Sequence, residues 1–132
     1  VGRIVKAYGG GKKPSPGRRF GGSNLSGHLI FSELARVTKN KRYIELAQIA
    51  ADKGFDKAGK PHASMPAHSE MSDAVFMGCP ILVQAGTLTG EAKYHDMALT
   101  HFRFMQKPVL RKDGRYRHPP LDEIGRARSR ER

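Results

Sequence analysis

Cysteine, tryptophan and long apolar runs are scarce or absent in this 132-residue sequence, and each absence narrows the class of protein. Cys79 is the single cysteine, so an intrachain disulfide is impossible and a disulfide-stapled secreted miniprotein is excluded. No apolar run approaches the roughly 18 residues of a membrane span, so we expect no membrane-spanning segment. Residues 1–20 lack the apolar core of a signal peptide, which together with the lone cysteine favours the cytoplasm. Because the chain starts at Val1, we expect the true N-terminus to lie upstream.

Acidic residues are also few, at 12 against 24 Lys and Arg, and the net charge is +12 at pH 7. A chain this basic suggests nucleic acid as a partner. Six bases and no acid lie in residues 1–20, and nine bases with four acids lie in residues 107–132. The segment between them carries nine bases and eight acids. Because the excess lies at the two ends, we expect no nucleic-acid partner; a basic helical module that binds nucleic acid or another polyanion remains the alternative.

The first part of the chain is rich in glycine, proline and basic residues, which favours open backbone over a packed element. We therefore predict a basic loop or arm over residues 1–22. Gly11 and Lys12 suggest a phosphate-binding loop, but that motif needs a glycine five positions before the Gly-Lys pair and Ser or Thr after it. Lys6 and Lys13 occupy those positions, so the motif is not present.

Apolar residues recur at helical spacing from Ser23 onward. The first stripe follows Ser23 and Asn24, which are candidate helix caps, and consists of Leu25, Leu29, Ile30, Leu34 and Val37. Asn40 is expected to end this helix. A second stripe follows at helical spacing through Tyr43, Leu46, Ala47, Ala50, Ala51, Gly54 and Phe55. Residues 23–55 are therefore predicted to form a helical hairpin.

The hairpin repeats at an offset of 51 residues, because Thr38 to Tyr43 aligns with Thr89 to Tyr94. The second unit, 72–106, is predicted as an inner helix over 72–88, a turn at Thr89 and Gly90, and an outer helix over 91–106. The predicted fold class is all-α, a helical array or toroid. Such arrays need about three or more hairpins to bury their apolar faces, so two hairpins suggest an incomplete fragment.

Asp73 begins the inner helix of the second hairpin and has two interpretations. The residues that follow it are apolar all round, which predicts a helix enclosed by others, and Pro80 within them predicts a kink. In the simpler interpretation, an acid in the first turn only complements the helix dipole. In the functional one, partial burial beside Met71, Phe76 and Met77 favours the protonated carboxyl that a general acid needs.

The histidines and the cysteine offer little other chemistry. The six histidines show no spacing typical of a metal site, and no cofactor is expected. His95 and His101 are expected on different faces of one helix. His62 and His68 flank the loop before the inner helix and either line a pocket or are simply solvated. Cys79 is predicted to be buried and unreactive.

Three sequence motifs follow one another in an order and at a spacing that can be compared with known families. They are the D-x-x-F-M-x-x-P run from Asp73, the T-G-x-x-K-Y hairpin from Thr89 and the D-G-x-Y-x-H turn from Asp113. Together they resemble the unsaturated uronyl hydrolases of glycoside hydrolase families 88 and 105, and the unsaturated rhamnogalacturonyl hydrolases of family 105 look nearest. The resemblance covers residues 23–123.

This resemblance implies an (α/α)6 toroid, of which the chain carries two hairpins. It also implies hydration of the C4=C5 double bond of a terminal unsaturated uronic acid in an oligosaccharide, as in pectin degradation. Asp73 matches the catalytic aspartate, which acts as general acid and base. His118 matches a pocket histidine, and Asn24 lies where many relatives carry a second acid. The candidate substrate-binding residues are His118, Asn24, Met71, Met77 and His68.

The chain departs from the family pattern at two places. Many relatives have an aromatic residue where this chain has Met71. After Glu123, relatives continue into a W-G-R-G-N segment, whereas this chain has a basic tail over 124–132. We expect a shifted reading frame or a broken gene model near Glu123, and we expect the isolated chain to be inactive. A scaffold of helical hairpins without chemistry is a further alternative.

Overall fold

The computed structural model describes residues 2–10, 25–66 and 72–117, and the regular structure within these ranges is helical. The α-helices are α1 (Gly2–Tyr8), α2 (Ile30–Thr38), α3 (Lys41–Ala51), α4 (Asp73–Thr89) and α5 (Ala92–Val109). A 3₁₀ turn over Gly27–Leu29 leads into α2, and another over Asp52–Gly54 follows α3. The described part of the chain contains only isolated antiparallel bridges, Phe55 with Pro61 and Leu110 with Tyr116, as extended pairing. The all-α class is confirmed.

The two inner helices end in the same way, which makes the sequence repeat a structural repeat. Lys39 follows α2 in the left-handed conformation, with φ 58°, and donates its N–H to the Ala35 carbonyl at 2.9 Å. Gly90, 51 positions later, follows α4 with φ 75° and donates to the Gly86 carbonyl at 2.8 Å. The reversal of direction after each inner helix therefore has one geometry in both hairpins.

Side chains in the two turns also correspond. The Thr38 hydroxyl donates to the Leu34 carbonyl at 2.7 Å, and the Thr89 hydroxyl donates to the Ala85 carbonyl at 2.8 Å. The residue before the outer helix differs between the two hairpins. Asn40 caps α3 by accepting from the Arg42 N–H at 2.9 Å, whereas Glu91 makes no side-chain cap on α5. Both hairpins then bury a tyrosine, Tyr43 and Tyr94.

α4 lies against both α3 and α5 and supplies most of the principal core. Its buried side chains Ile81, Leu82 and Ala85 meet a cluster formed with Leu25, Ala50, Ala51, Met65, Tyr94, Met97 and Ala98. A second cluster joins α2 and α3 through Phe31, Leu34, Ala35, Tyr43, Leu46 and Ala47. The apolar periodicity of α5 predicts one stripe of Tyr94, Met97, Ala98, His101, Phe102 and Met105, and all of these are buried except Phe102, which is partly buried.

The prediction of a loop or arm over residues 1–22 is wrong for residues 2–8, which form α1. The glycine-rich sequence begins only at Gly9, and Ile4 and Tyr8 are four residues apart, on one side of a helix. Both side chains pack on the second cluster, and the Tyr8 ring lies edge-on to Phe31 with centroids 5.6 Å apart. Apolar contact therefore anchors this segment to the hairpin.

Two predicted helix features also differ from the structure. The second stripe stays against the core as far as Gly54 and Phe55, but the α-helix ends at Ala51. A 3₁₀ turn over Asp52–Gly54 follows and brings Gly54 against Met97 and Met65, where a Cβ would lie 3.0 and 3.2 Å from their side chains. The expected enclosure of α4 is wrong for the described residues: Phe76 is 72% exposed and Val83 is 43% exposed. No described element covers this side of the helix, so one apolar stripe of α4 faces outward.

Candidate active site

Asp73 is the first residue of α4, and its side chain is partly exposed. Ser72 precedes it in helical conformation and makes no side-chain cap. Met77, one turn further and on the same side of the helix, is partly buried, and Phe76 projects outward from the neighbouring position. The carboxyl group therefore lies at an accessible helix end, and Phe76 and Met77 follow it at helical spacing.

A buried histidine fixes the first turn of α4. The His101 ring, on α5, is fully buried. Its Nδ1 accepts a hydrogen bond from the Met65 N–H at 3.1 Å, and its Nε2 lies 3.0 Å from the Ala74 carbonyl oxygen. Because Nδ1 accepts, the proton of the neutral ring is on Nε2, which donates to Ala74. One side chain thus links the loop before α4 to the residue that follows Asp73.

Gly78 makes this arrangement possible. A Cβ at this position would lie 2.7 Å from Nε2 and 2.9 Å from Cδ2 of His101. The ring therefore occupies the space that a side chain larger than glycine would need at position 78. Glycine in a helix interior costs about 1 kcal/mol relative to alanine, so its presence here is explained by the close approach of the ring.

Burial lowers the pKa of His101, and the hydrogen bond to the Ala74 carbonyl opposes that shift in part. The ring is therefore neutral near pH 7, as the hydrogen bond that Nδ1 accepts from the Met65 N–H requires. The prediction that His95 and His101 face different sides of one helix is confirmed, since His95 is exposed. The bridging role of His101 was not predicted; its place on a buried stripe opposite a glycine was the available signal.

The segment after α5 reaches the same end of the hairpin as Asp73. The predicted turn at Asp113 and Gly114 is present, with Gly114 at φ 78° and an antiparallel bridge joining Leu110 to Tyr116. The Arg117 N–H then donates to the Val109 carbonyl at 2.8 Å. Val109 is buried in a third cluster with Met105 and Ala74, and Ala74 is the next residue after Asp73. This contact joins the base of the turn to the first turn of α4, which begins with Asp73.

The structure places only some of the predicted site residues. Asp73 and Met77 lie together on α4. The other candidates are outside the described residues: Asn24, His68, Met71 and His118. His62, within the described loop, is exposed, as a solvated loop histidine would be.

The thiol of Cys79 is half-buried and lies 3.5 Å from the Ala98 carbonyl. Burial raises the pKa of this thiol, which keeps it protonated and supports the prediction that it is unreactive.

Residues 2–10, 25–66 and 72–117 contain no group of three His, Cys, Asp or Glu side chains close enough to hold a metal ion. They also contain no helix with the length and apolarity that a bilayer span requires.

The model of a protein family, described as Glycosyl Hydrolase Family 88, matches residues 17–122. The chain belongs to glycosyl hydrolase family 88. Comparisons with curated proteins and with solved structures returned no match. The match spans both hairpins, Asp73 and the turn after α5, so the site described above lies inside the family 88 domain. Membership identifies a glycoside hydrolase domain and a carbohydrate as its class of substrate.

Proposed function

We propose that this family 88 domain hydrates the C4=C5 double bond of an unsaturated uronic acid at the non-reducing end of an oligosaccharide. The proposal includes the type of activity, that of the unsaturated rhamnogalacturonyl hydrolases of family 105, in the breakdown of pectin-type polysaccharides. The observation that carries it is the family match over residues 17–122, together with the position of Asp73 at the accessible first turn of α4.

The reaction needs fewer groups than ordinary glycoside hydrolysis. Most glycosidases place two carboxyl groups about the glycosidic bond. The unsaturated ring is instead an enol ether, in which C5 bears the ring oxygen. A proton added to C4 and the hydroxyl of water added to C5 convert the double bond to a hemiketal, which opens and releases the next sugar. One carboxyl can deliver the proton and then accept a proton from the attacking water.

Asp73 is suited to both halves of this cycle. Its position at the partly exposed first turn of α4 leaves the carboxyl open to substrate and to the attacking water. The neighbouring Phe76 and Met77 provide apolar surface against which the protonated acid and a sugar ring can lie. His101 holds the adjacent Ala74 carbonyl and thereby restrains the helix end that carries the carboxyl.

The chemistry of the substrate also indicates where selectivity arises. The double bond removes the stereocentre at C4, so unsaturated rings derived from galacturonate and from glucuronate are identical. An enzyme of this type must therefore distinguish pectin-derived from glycosaminoglycan-derived oligosaccharides through the sugar that is released. We expect turnover of an unsaturated rhamnogalacturonan disaccharide to exceed that of an unsaturated chondroitin disaccharide.

The test is loss of the ultraviolet absorbance of the conjugated double bond, measured with that rhamnogalacturonan disaccharide. The complete gene product that contains these residues is assayed beside the 132-residue chain. We expect the complete product to be active, the isolated chain to be inactive, and Asp73→Asn to lower kcat by roughly 10²–10⁴-fold. Asp96→Asn is the matched control, since Asp96 is an exposed acid on α5.

Two results would contradict the proposal. One is a folded complete product that leaves the absorbance unchanged. The other is an Asp73→Asn variant as active as Asp96→Asn. The second result would favour an acid in the first turn that serves the helix dipole only.

A further inference from the structure

A basic cleft lies on the turn that follows α5. It is lined by Arg111, Lys112, Asp113 and Arg117. The Asp113 carboxylate forms an ion pair with the Arg111 guanidinium at 2.8 Å and also accepts from the Arg115 N–H at 3.2 Å. The cleft thus contains three cationic side chains and one carboxylate that is already engaged. Its remaining positive charge favours an anionic ligand.

Arg117, which lines the cleft, also has a donor without a partner. Its Nε is buried and has no hydrogen-bond partner among the described residues. Buried polar groups in folded proteins are nearly always hydrogen-bonded, so an orphaned guanidinium nitrogen indicates a missing acceptor. The planar guanidinium presents paired N–H donors that match the two oxygens of a carboxylate.

The backbone around the cleft is held at several points. The Arg117 N–H donates to Val109 at 2.8 Å, and the Arg111 N–H donates to the Arg115 carbonyl at 2.8 Å. Since Val109 packs against Ala74, the backbone at Arg117 is connected through Val109 to the first turn of α4. A carboxylate bound here lies at the same end of the hairpin as the carboxyl of Asp73.

We propose that Arg117 binds the carboxylate of the uronic acid, with Arg111 and Lys112 completing the positive cleft. The inference rests on the proposed function. In an unsaturated uronate the carboxylate is attached to C5, so anchoring it fixes the double bond beside it. The contact makes Arg117 a determinant of specificity for acidic over neutral sugars. Asp113 orients Arg111 and keeps part of its charge from the ligand.

Binding is tested on the 132-residue chain by NMR of the arginine Nε–H groups during titration with sodium galacturonate. Galacturonic acid methyl ester at equal ionic strength is the uncharged control ligand. We expect the Arg117 Nε–H signal to shift saturably with galacturonate and not with the ester. Arg117→Gln should weaken galacturonate binding at least tenfold, and Arg117→Lys should recover little because lysine lacks the planar pair of donors.

Arg115→Gln is the matched control, since it removes the same charge from an exposed position on the same turn that does not line the cleft. We expect it to change the affinity less than twofold. Equal binding of acid and ester, equal weakening by Arg115→Gln and Arg117→Gln, or no saturable shift would each overturn the proposal. A short RNA that shifts Arg117 where galacturonate does not would overturn it in favour of a nucleic-acid site.

Kinetics on the complete gene product separate this inference from the proposed function. Arg117→Gln should raise KM at least tenfold and change kcat less, whereas Asp73→Asn lowers kcat. Double-bond hydration with an unchanged KM in Arg117→Gln would overturn the role of Arg117 alone. Carboxylate binding at Arg117 without any hydration by the complete product would overturn the proposed function alone.

Discussion

His101 connects three parts of the candidate site through one imidazole ring. It joins the loop at Met65, the first turn of α4 at Ala74 and its own helix α5. The bond from the Met65 N–H needs the neutral ring, since a protonated Nδ1 cannot accept, whereas Nε2 can donate to Ala74 in either state. The folded state therefore excludes the proton that an exposed histidine would bind near pH 6.

We predict that the free energy of unfolding decreases as the pH is lowered, because of His101. Burial lowers the pKa of His101 below its ordinary value of 6.5, so the unfolded chain binds the proton more readily. The contribution is complete above about pH 6.5 and is lost as the pH falls through the lowered pKa. Urea denaturation at several pH values should show this slope, and His101→Gln should reduce it. The same slope in His101→Gln, with His62→Gln as the exposed control, would show that another group is responsible.

Alanine at two glycines of α4 should have opposite effects. A Cβ at Gly78 meets the buried His101 ring at 2.7 Å, and this ring cannot move without breaking its hydrogen bonds. We expect Gly78→Ala to destabilise the chain by about 1–3 kcal/mol. A Cβ at Gly86 meets the exposed His95 ring, which can rotate away, so the gain in helix propensity of up to about 1 kcal/mol can appear.

Thermal unfolding of the two alanine variants provides the measurement. Equal destabilisation by Gly78→Ala and Gly86→Ala would show that the His95 ring is as tightly held as the His101 ring.

At the scale of elements, the two hairpins form the same turn after the inner helix with different residues. Lys39 and Gly90 correspond at the offset of 51 and share positive φ, but only glycine adopts it without strain. The repeat therefore allows lysine and glycine to be compared at the same left-handed position within one chain.

Exchange of these residues should shift stability in opposite directions. Lys39→Gly relieves the left-handed conformation of a residue with a Cβ and is expected to stabilise by about 0.5–1 kcal/mol. Gly90→Lys imposes it and should cost about 1–2 kcal/mol, although nothing lies within 4 Å of the added Cβ. Chemical denaturation of both variants tests this pair. A stabilising Gly90→Lys would contradict the strain argument.

At the scale of the whole molecule, the charge distribution favours the hydrolase over the alternative, a basic helical module that binds nucleic acid or another polyanion. The net charge of +12 comes mostly from the two ends of the sequence, and the family match covers the nearly neutral middle. The basic cleft at Arg117 is local to one turn.

We predict that any affinity for nucleic acid is non-specific and depends steeply on salt. Binding of a labelled RNA should weaken by orders of magnitude between about 50 and 200 mM salt, because released counterions drive such binding. Fluorescence anisotropy is the measurement, and deletion of residues 124–132 should weaken the binding further. Tight binding that persists at the higher salt would favour the basic helical module over the hydrolase.

Several parts of the fold follow from sequence pattern alone. The inner and outer helices of the second hairpin, the turn at Gly90 and the turn at Gly114 were all predictable, because apolar periodicity and glycine conformation act within a few residues. Asp73 was also predictable as a candidate, because the motif that contains it is contiguous. The residues around α1 were misassigned, since its anchoring depends on Phe31 and the second cluster, which are distant in sequence.

The sequence by itself determined the helical repeat, the position of Asp73 at a helix start and the family motifs, since each is encoded by neighbouring residues. Only the tertiary structure decided that His101 bonds Ala74, that Arg117 lies beside Val109 and that α4 leaves Phe76 exposed. These contacts join residues far apart along the chain. They depend on how loops and helices pack together, because burial and hydrogen-bond geometry are properties of the assembled fold.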